Sequence, residues 1–344
     1  MRGRAGHGGA GVSQRCGDGR AGIRQSRRSE EESLVSAQVD NRGEVEVGGQ
    51  GYMVRAVAFD GLVRAFAVDS TGVVEELQRR HGTDPVVTAA LGRLATGTLL
   101  LGAMLKEEEH LVTVRIQGDG PVGVLLATAN GSGEVRGLVA NPRPEVDQVR
   151  NGKLNVSGAV GRNGHLTVTR DLGLRQPHSS TVELVSGEVG EDLAYYLARS
   201  EQIPSAVGLG VFVLPDGSVE AAGGYLVQLM PGLGDQDAWA IEQEIRALPH
   251  PTTMLRSGET PEGILGRIFP GGYRLLDRIP VRFHCPCSRE RAEQALVLLG
   301  ASYLEEVMSQ DAERGFTEVV CRFCNAAYRF TFDELAAMIA SAKK

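Results

Sequence analysis

Four of the five cysteines in this chain sit in two tight pairs near the C-terminus, His284-Cys285-Pro286-Cys287 and Cys321-Arg322-Phe323-Cys324. A spacing of one or two residues turns both thiolates of a pair to the same side. Two such knuckles supply a tetrahedral set of four sulfurs, which is the donor set of a closed structural Zn²⁺ site. Cys285, Cys287, Cys321 and Cys324 are therefore the expected ligands of one Zn²⁺ per chain, and the spacing argues against four unrelated buried thiols. His284 could substitute as a ligand, but four sulfurs already complete the tetrahedron. Zinc holds sulfurs as thiolates, the form that attacks peroxide or hypochlorous acid, and adjacent thiols can resolve each other's sulfenic acids as disulfides. Spacing alone leaves open whether the site is an oxidant trigger or a purely structural ribbon.

The segment between the knuckles must bring them together. Ser288 can cap a helix with Ala292, Ala295, Leu296 and Leu299 on one face and Gly300 as its stop. Ser302 with Glu305, and Thr331 with Glu334, have the capping-box pattern ahead of apolar positions. Phe316 to Val320 reads as a strand delivering Cys321, and Tyr328 to Phe330 as its partner. So few apolar residues make a small core, so the metal is expected to supply much of this module's stability.

The chain has 344 residues, 42% of them hydrophobic, and a net charge of −7. That suffices for one large domain and a small one. No basic stripe interleaved with aromatics follows the N-terminal tail, so no nucleic-acid partner is expected. No apolar run of membrane-spanning length and no secretory signal is evident, so a cytoplasmic location is expected, where clustered cysteines serve as ligands or sensors.

Residues 1–52 are rich in Gly, Arg, Ser and Glu, with eight Arg against seven acidic residues, and carry no hydrophobic period. They are expected to be a disordered extension, with Met53 the better start. A transit peptide is the other reading, against which Glu30-Glu31-Glu32 counts, and Cys16 is an incidental thiol. Val54 to Phe59 and Leu62 to Val68 read as a hairpin about Asp60-Gly61, followed by a short helix at Val73 to Arg80. A long helix then runs from Pro85 to about Lys106, with Gly92, Gly97 and Gly102 allowing close approach of a neighbour. Short β segments fill Leu111 to Val185, a helix Glu191 to Glu201, and a hairpin Val207 to Met230. Residues 53–232 are thus expected to be an α+β core built on mostly antiparallel sheet. Residues 233–280 hold short candidate helices, Asp237–Leu248 and Pro261–Ile268, broken by Pro and Gly. They read as a metastable helical linker ahead of the zinc module at 281–344.

The other polar candidates carry less. Asp171, Arg175, His178 and Glu183 fix no nucleophile, base and orienting group, so no enzyme is expected. His81 and His165 flank turns and read as surface residues, and Tyr195-Tyr196 and Trp239 as packing residues. A zinc ribbon recruiting nucleic acid or protein without redox switching is the alternative, with Arg322, Arg329 and Lys343-Lys344 as its basic support. A dithiol oxidoreductase lacks a thioredoxin-like context around Cys321.

Several separated motifs, in order, resemble the 33 kDa chaperonin family: Gln78-Arg-Arg-His-Gly82, Ala89-Ala-Leu-Gly-Arg93, Asp171-Leu-Gly-Leu-Arg175, Ala222 to Gly232, Val281 to Ser288 and Val320 to Asn325. The resemblance spans Met53 to Lys344. It implies a redox-regulated, ATP-independent holdase of the stress response that binds unfolding or oxidatively damaged client proteins and is a homodimer when active, its interface expected in the N-terminal domain. It further implies an inactive, reduced, zinc-bound state and activation by the disulfides Cys285–Cys287 and Cys321–Cys324, with the C-x2-C pair oxidising first and the linker unfolding.

Overall fold

The computed structural model describes residues 51–150 and 152–342. The expectations for residues 1–50, Cys16 included, and for Lys343-Lys344 lie outside the described residues.

The chain opens with a hairpin, β1 (Tyr52–Ala58) and β2 (Val63–Asp69), followed by α1 (Thr71–His81) and α2 (Pro85–Gly102). The turn at Phe59–Gly61 is made as Asp60-Gly61 suggested, with both residues at positive φ. Next come β3 (Leu111–Gly118), β4 (Val124–Asn130), β5 (Glu134–Val139), the short pair β6 (Val149–Arg150) and β7 (Lys153–Leu154), and α3 (Val156–Val160). Then follow β8 (Gly164–Asp171), β9 (His178–Glu183), α4 (Val189–Arg199), β10 (Ser205–Val213) and β11 (Val219–Leu229). Three helices, α5 (Asp235–Ala247), α6 (Pro251–Arg256) and α7 (Pro261–Ile268), lead into β12 (Arg274–Pro280) and β13 (Arg282–Phe283). The last stretch is α8 (Arg289–Leu299), α9 (Ala301–Gln310), β14 (Phe316–Val320), β15 (Ala327–Thr331) and α10 (Phe332–Ala342). The fold is α+β on antiparallel sheets, as expected.

A five-stranded sheet runs β10-β11-β2-β1-β12 and a six-stranded one β13-β5-β4-β3-β8-β9. All their pairings are antiparallel except β13 on β5. Side chains of a strand alternate between faces, so β1 sends Met53 into the main core while Val54 and Ala56 face the other way. α2 lies in that main core and is apolar on all sides because nearly every residue of it is buried. It is long and apolar enough to cross a membrane by length and composition, but 89% of it is buried inside the protein, as a core helix should be. Its glycines do what the sequence suggested: a Cβ on Gly92 would sit 2.6 Å from Val74, and one on Gly97 2.4 Å from Leu193.

The opposite face of the five-stranded sheet, with Val54, Ala56, Ala58, Val63, Ala65, Ala67, Tyr225 and Val227, is covered by the helices α5 to α7 through Ile241, Met254, Ile264, Leu265, Ile268 and Phe269. A third, small cluster of Ala292, Leu296, Leu304, Phe330, Leu335 and Met338 lies in the C-terminal module.

Several expectations are corrected. The stretch read as helical up to residue 280 ends in β12, which pairs with β1 from Tyr52 opposite Pro280 to Val57 opposite Arg274. Its sequence has no apolar alternation, Ile279 alone being buried, so main-chain pairing with an exposed edge fixes it. Trp239 is not packed but 64% exposed, and Tyr195 is exposed while its neighbour Tyr196 is core. α2 stops at Gly102 rather than Lys106, ahead of the charged run Lys106 to Glu109, which has no place in the core. α9 starts at Ala301 with Gly300 as its N-cap residue, which puts Ser302 inside the helix.

Candidate metal centre

β13 delivers the first knuckle. Arg282 and His284 donate their amides to the carbonyls of Gly133 and Val135 at 3.0 Å each, so the chain leaves the six-stranded sheet immediately before Cys285. Ser288 then caps α8, its Oγ accepting from the Arg291 amide at 3.3 Å. β14 and β15 form the hairpin that carries the second knuckle, with Val320 paired to Ala327. The turn closes through the Asn325 amide on the Cys321 carbonyl at 2.8 Å and the Cys321 amide on the Ala326 carbonyl at 2.9 Å. Asn325 takes the left-handed conformation, φ 57°, that such a turn demands and asparagine tolerates. Thr331 and Glu334 form the expected capping box at α10, the Thr331 amide reaching Glu334 at 2.8 Å and the Glu334 amide reaching Thr331 Oγ1 at 3.3 Å.

The four sulfurs converge to within 4.8 Å of one another. Cys285 Sγ lies 3.7 Å from Cys321 Sγ, and Cys287 Sγ 3.2 Å from Cys324 Sγ. With zinc–sulfur bonds of about 2.3 Å, the edge of a regular sulfur tetrahedron is about 3.8 Å. The donor set therefore fits a four-coordinate thiophilic ion. Cys324 is buried and the other three are half-buried. Tyr328 Oη donates to Cys287 Sγ at 3.1 Å, an outer contact that fixes one donor. Hydrogen bonding from Cys324, ahead of smaller contributions from Cys287 and Cys321, holds the Cys285 thiol down to about 4, and in return Cys324 is pushed far up. Burial pushes Cys287 up as well. His284 is not among the converging side chains; it lies beside Glu134, whose carboxylate is bonded by Arg282 at 2.7 Å.

The second knuckle docks on the end of α1. Arg80 donates to the Cys324 carbonyl at 3.1 Å, and Asn325 Nδ2 donates to the Arg80 carbonyl at 2.6 Å. His81 Nε2 lies 3.1 Å from the Phe323 carbonyl and 3.0 Å from the Gly137 carbonyl. Both oxygens only accept, so Nε2 carries the proton. Arg136 stacks on the Phe323 ring at 4.3 Å and Arg80 on the Phe283 ring at 4.6 Å. His81 is thus an interface residue, against the expectation of a surface one; burial is the main cause of its lowered affinity for a proton. The signal in the sequence was the motif Gln78 to Gly82 itself, in which Gly82 ends α1 in the left-handed conformation but the His81 ring has no partner within its own helix.

His165 is exposed as expected. Asp171, Arg175, His178 and Glu183 are exposed and make no catalytic set: Asp171 accepts from the Gly173 amide at 3.1 Å, and His178 faces Ser180 at 3.3 Å. Arg329, part of the basic support for a nucleic-acid ribbon, is engaged by Glu318 at 2.9 Å.

Comparison with known proteins gives one consistent answer. The Hsp33 protein family model matches residues 51–331. The chain is 49% identical over 284 residues to the 33 kDa chaperonin of Bacillus subtilis, covering 83% of this chain and 96% of that protein. It is also 49% identical over 287 residues to the 33 kDa chaperonin of Desulforamulus reducens, with the same coverage of 83% and 96%. The crystal structure of the 33 kDa chaperonin from Thermotoga maritima superposes with a TM-score of 0.77 at 39% identity, over 84% of this chain and 98% of that one. With a matching fold, a four-cysteine cluster and relatives aligned along nearly their whole length, this chain belongs to the Hsp33 family, the 33 kDa chaperonins.

Proposed function

We propose that this chain is a non-enzymatic, ATP-independent holdase of the bacterial cytoplasm that is inactive when reduced and zinc-loaded and is switched on by oxidation. The observation that carries this reading is continuity: the sulfur cluster follows β13 and β12 directly, and these follow the helices that cover an apolar sheet face. Residues 53–232 act as the core and dimerisation domain, 233–280 as the metastable linker and 281–344 as the redox module, with Cys285, Cys287, Cys321 and Cys324 as both ligands and redox centres.

Zn²⁺, when bound, keeps the four sulfurs as thiolates and ties the two knuckles together. Each disulfide, Cys321–Cys324 first and Cys285–Cys287 second, forms as two thiolates give two electrons to hydrogen peroxide, whose O–O bond breaks and which leaves, with two protons from solvent, as two waters. Paired sulfurs no longer serve as a ligand set. The module's own small core, Leu304, Phe330 and Leu335 at its centre, is then too little to hold it folded. Unfolding frees β13 and the edge strand β12 and loosens α7, whose Glu262 pairs with Arg278 of β12 and accepts from Tyr52 of the adjoining β1 at 2.7 Å. The helices leave, and Val54, Ala56, Ala65, Ala67 and Val227 become an apolar patch for unfolding or oxidatively damaged clients.

The test is to treat zinc-loaded protein with peroxide at elevated temperature, following zinc release and the light scattering of a heat-denaturing client. Suppressed scattering with metal release is expected. Full disulfide formation with no effect on client aggregation would reject the reading.

A further inference from the structure

The docking of the second knuckle on α1 has no place in the switch as described, yet it is where the module and the core touch through the most specific geometry. Three side-chain hydrogen bonds cross it, in both directions: Arg80 to the Cys324 carbonyl, His81 to the Phe323 carbonyl, and Asn325 back to the Arg80 carbonyl. All three acceptors are main-chain oxygens, and two of them belong to the knuckle residues at and just before a cysteine of the cluster. A main-chain acceptor is aimed by the local backbone, so these bonds read the shape of the C-x2-C turn rather than the identity of a side chain. The stacking of Arg136 on Phe323 adds a contact from β5 to the same turn. On the core side the reader is rigid. Arg80 is held by Glu76, which is buried in α1; burial alone would raise its carboxyl, but bonds from Arg79 and Arg80 overcome this and keep it ionised. His81 is pinned by its second acceptor, the Gly137 carbonyl in β5.

We infer that Arg80, His81 and Asn325 form a latch by which the core senses the C-x2-C knuckle directly, in parallel with the covalent path through β13 and β12. The inference rests on the proposed function, since it assigns the latch to the same metal-loaded module. The turn presents the Phe323 and Cys324 carbonyls to α1 only while Cys321 and Cys324 are held at ligand spacing; drawing the two sulfurs to bonding distance re-aims both carbonyls. Metal occupancy then strengthens the latch, and by thermodynamic reciprocity the latch strengthens metal retention by the same factor. These are positioning residues: none of them touches the sulfurs or would contact the ion.

Asn325→Gly removes the side-chain bond while keeping the left-handed backbone, and His81→Ala removes the bond to Phe323. For each, zinc transfer to a chromophoric chelator is measured, together with thermal stability of the loaded and the zinc-stripped full chain. The expected result is metal release about three- to tenfold faster, the size of one or two hydrogen bonds. Stability should fall in the loaded protein and stay at the wild-type value in the stripped protein for Asn325→Gly. Release at the wild-type rate from both variants, or equal destabilisation of loaded and stripped Asn325→Gly, would overturn the latch while leaving the holdase reading intact. A wild-type chain that binds no zinc would remove both.

Discussion

Cys285 Sγ lies 3.7 Å from Cys321 Sγ, 36 positions further along the chain, and Cys287 Sγ lies 3.2 Å from Cys324 Sγ, so each cysteine has a neighbour in the opposite knuckle as near as any ligand geometry requires. The cluster joins two separate pieces of the fold, the end of a core strand and a hairpin of the small module.

Removing the metal should therefore act at a distance. Chelation of zinc from the reduced chain, or serine at all four cysteines, is expected to raise amide hydrogen exchange across Asp235–Ala247 and Pro261–Ile268 well before it does so in α2. The lost binding term is of order 10 kcal/mol in zinc-finger peptides, far above what a small core of six buried residues supplies. Unchanged protection in those helices would disconnect the module from the linker.

Tyr328→Phe keeps the ring against the module core and deletes the hydroxyl that donates to Cys287. Outer contacts of this kind are typically worth about 10- to 100-fold in metal affinity. Competition titration with a chelator of known affinity should register a loss of at least about tenfold, with little change in the thermal stability of the stripped protein.

The linker can be undocked without touching the sulfurs. Leu265→Ala opens a cavity in the cluster shared by α7 and the five-stranded sheet, where Leu265 is fully buried. The cost is about 2 to 5 kcal/mol. The variant should suppress client aggregation while reduced and still hold a full complement of zinc, as measured by metal analysis on the same sample.

His250, between α5 and α6, is an exposed residue whose ring Nδ1 is bonded to Thr252 Oγ1 at 2.8 Å. Desolvation of the ring first, and then the cations Arg93 of α2 and Lys153 of β7, lower its affinity for a proton. The cavity it borders also holds Arg150, Arg162, Glu188 and Glu191. A lowered value in the docked state means that the undocked loop binds the extra proton. Docking is therefore at full strength above the ordinary imidazole value of about 6.5 and weakens as the pH falls below it. Exchange of α6 amides, corrected for intrinsic rates, should rise between about pH 7 and pH 5 in the wild type, and His250→Gln should flatten that slope.

The sequence by itself determined the local features. Cysteine spacing sets the knuckles because one or two residues leave a chain few ways to turn. Ser288, Thr331 with Glu334, and Asp60-Gly61 set a helix cap, a capping box and a turn because each is completed within four residues. The glycines of α2 were legible because an apolar helix needs them wherever it must be approached closely.

Tertiary structure alone decided what crosses the chain. β12 has no alternation to betray it, since an edge strand with a single buried side chain is held by main-chain pairing, and any backbone can supply that. Arg80 and His81 meet Cys324 and Phe323 from 244 and 242 residues away, through carbonyl oxygens that every residue carries. Hydrophobic period and motif spacing record side-chain chemistry over a few turns of chain. They hold no information about which main-chain groups will face one another once the sheets and the small module are packed.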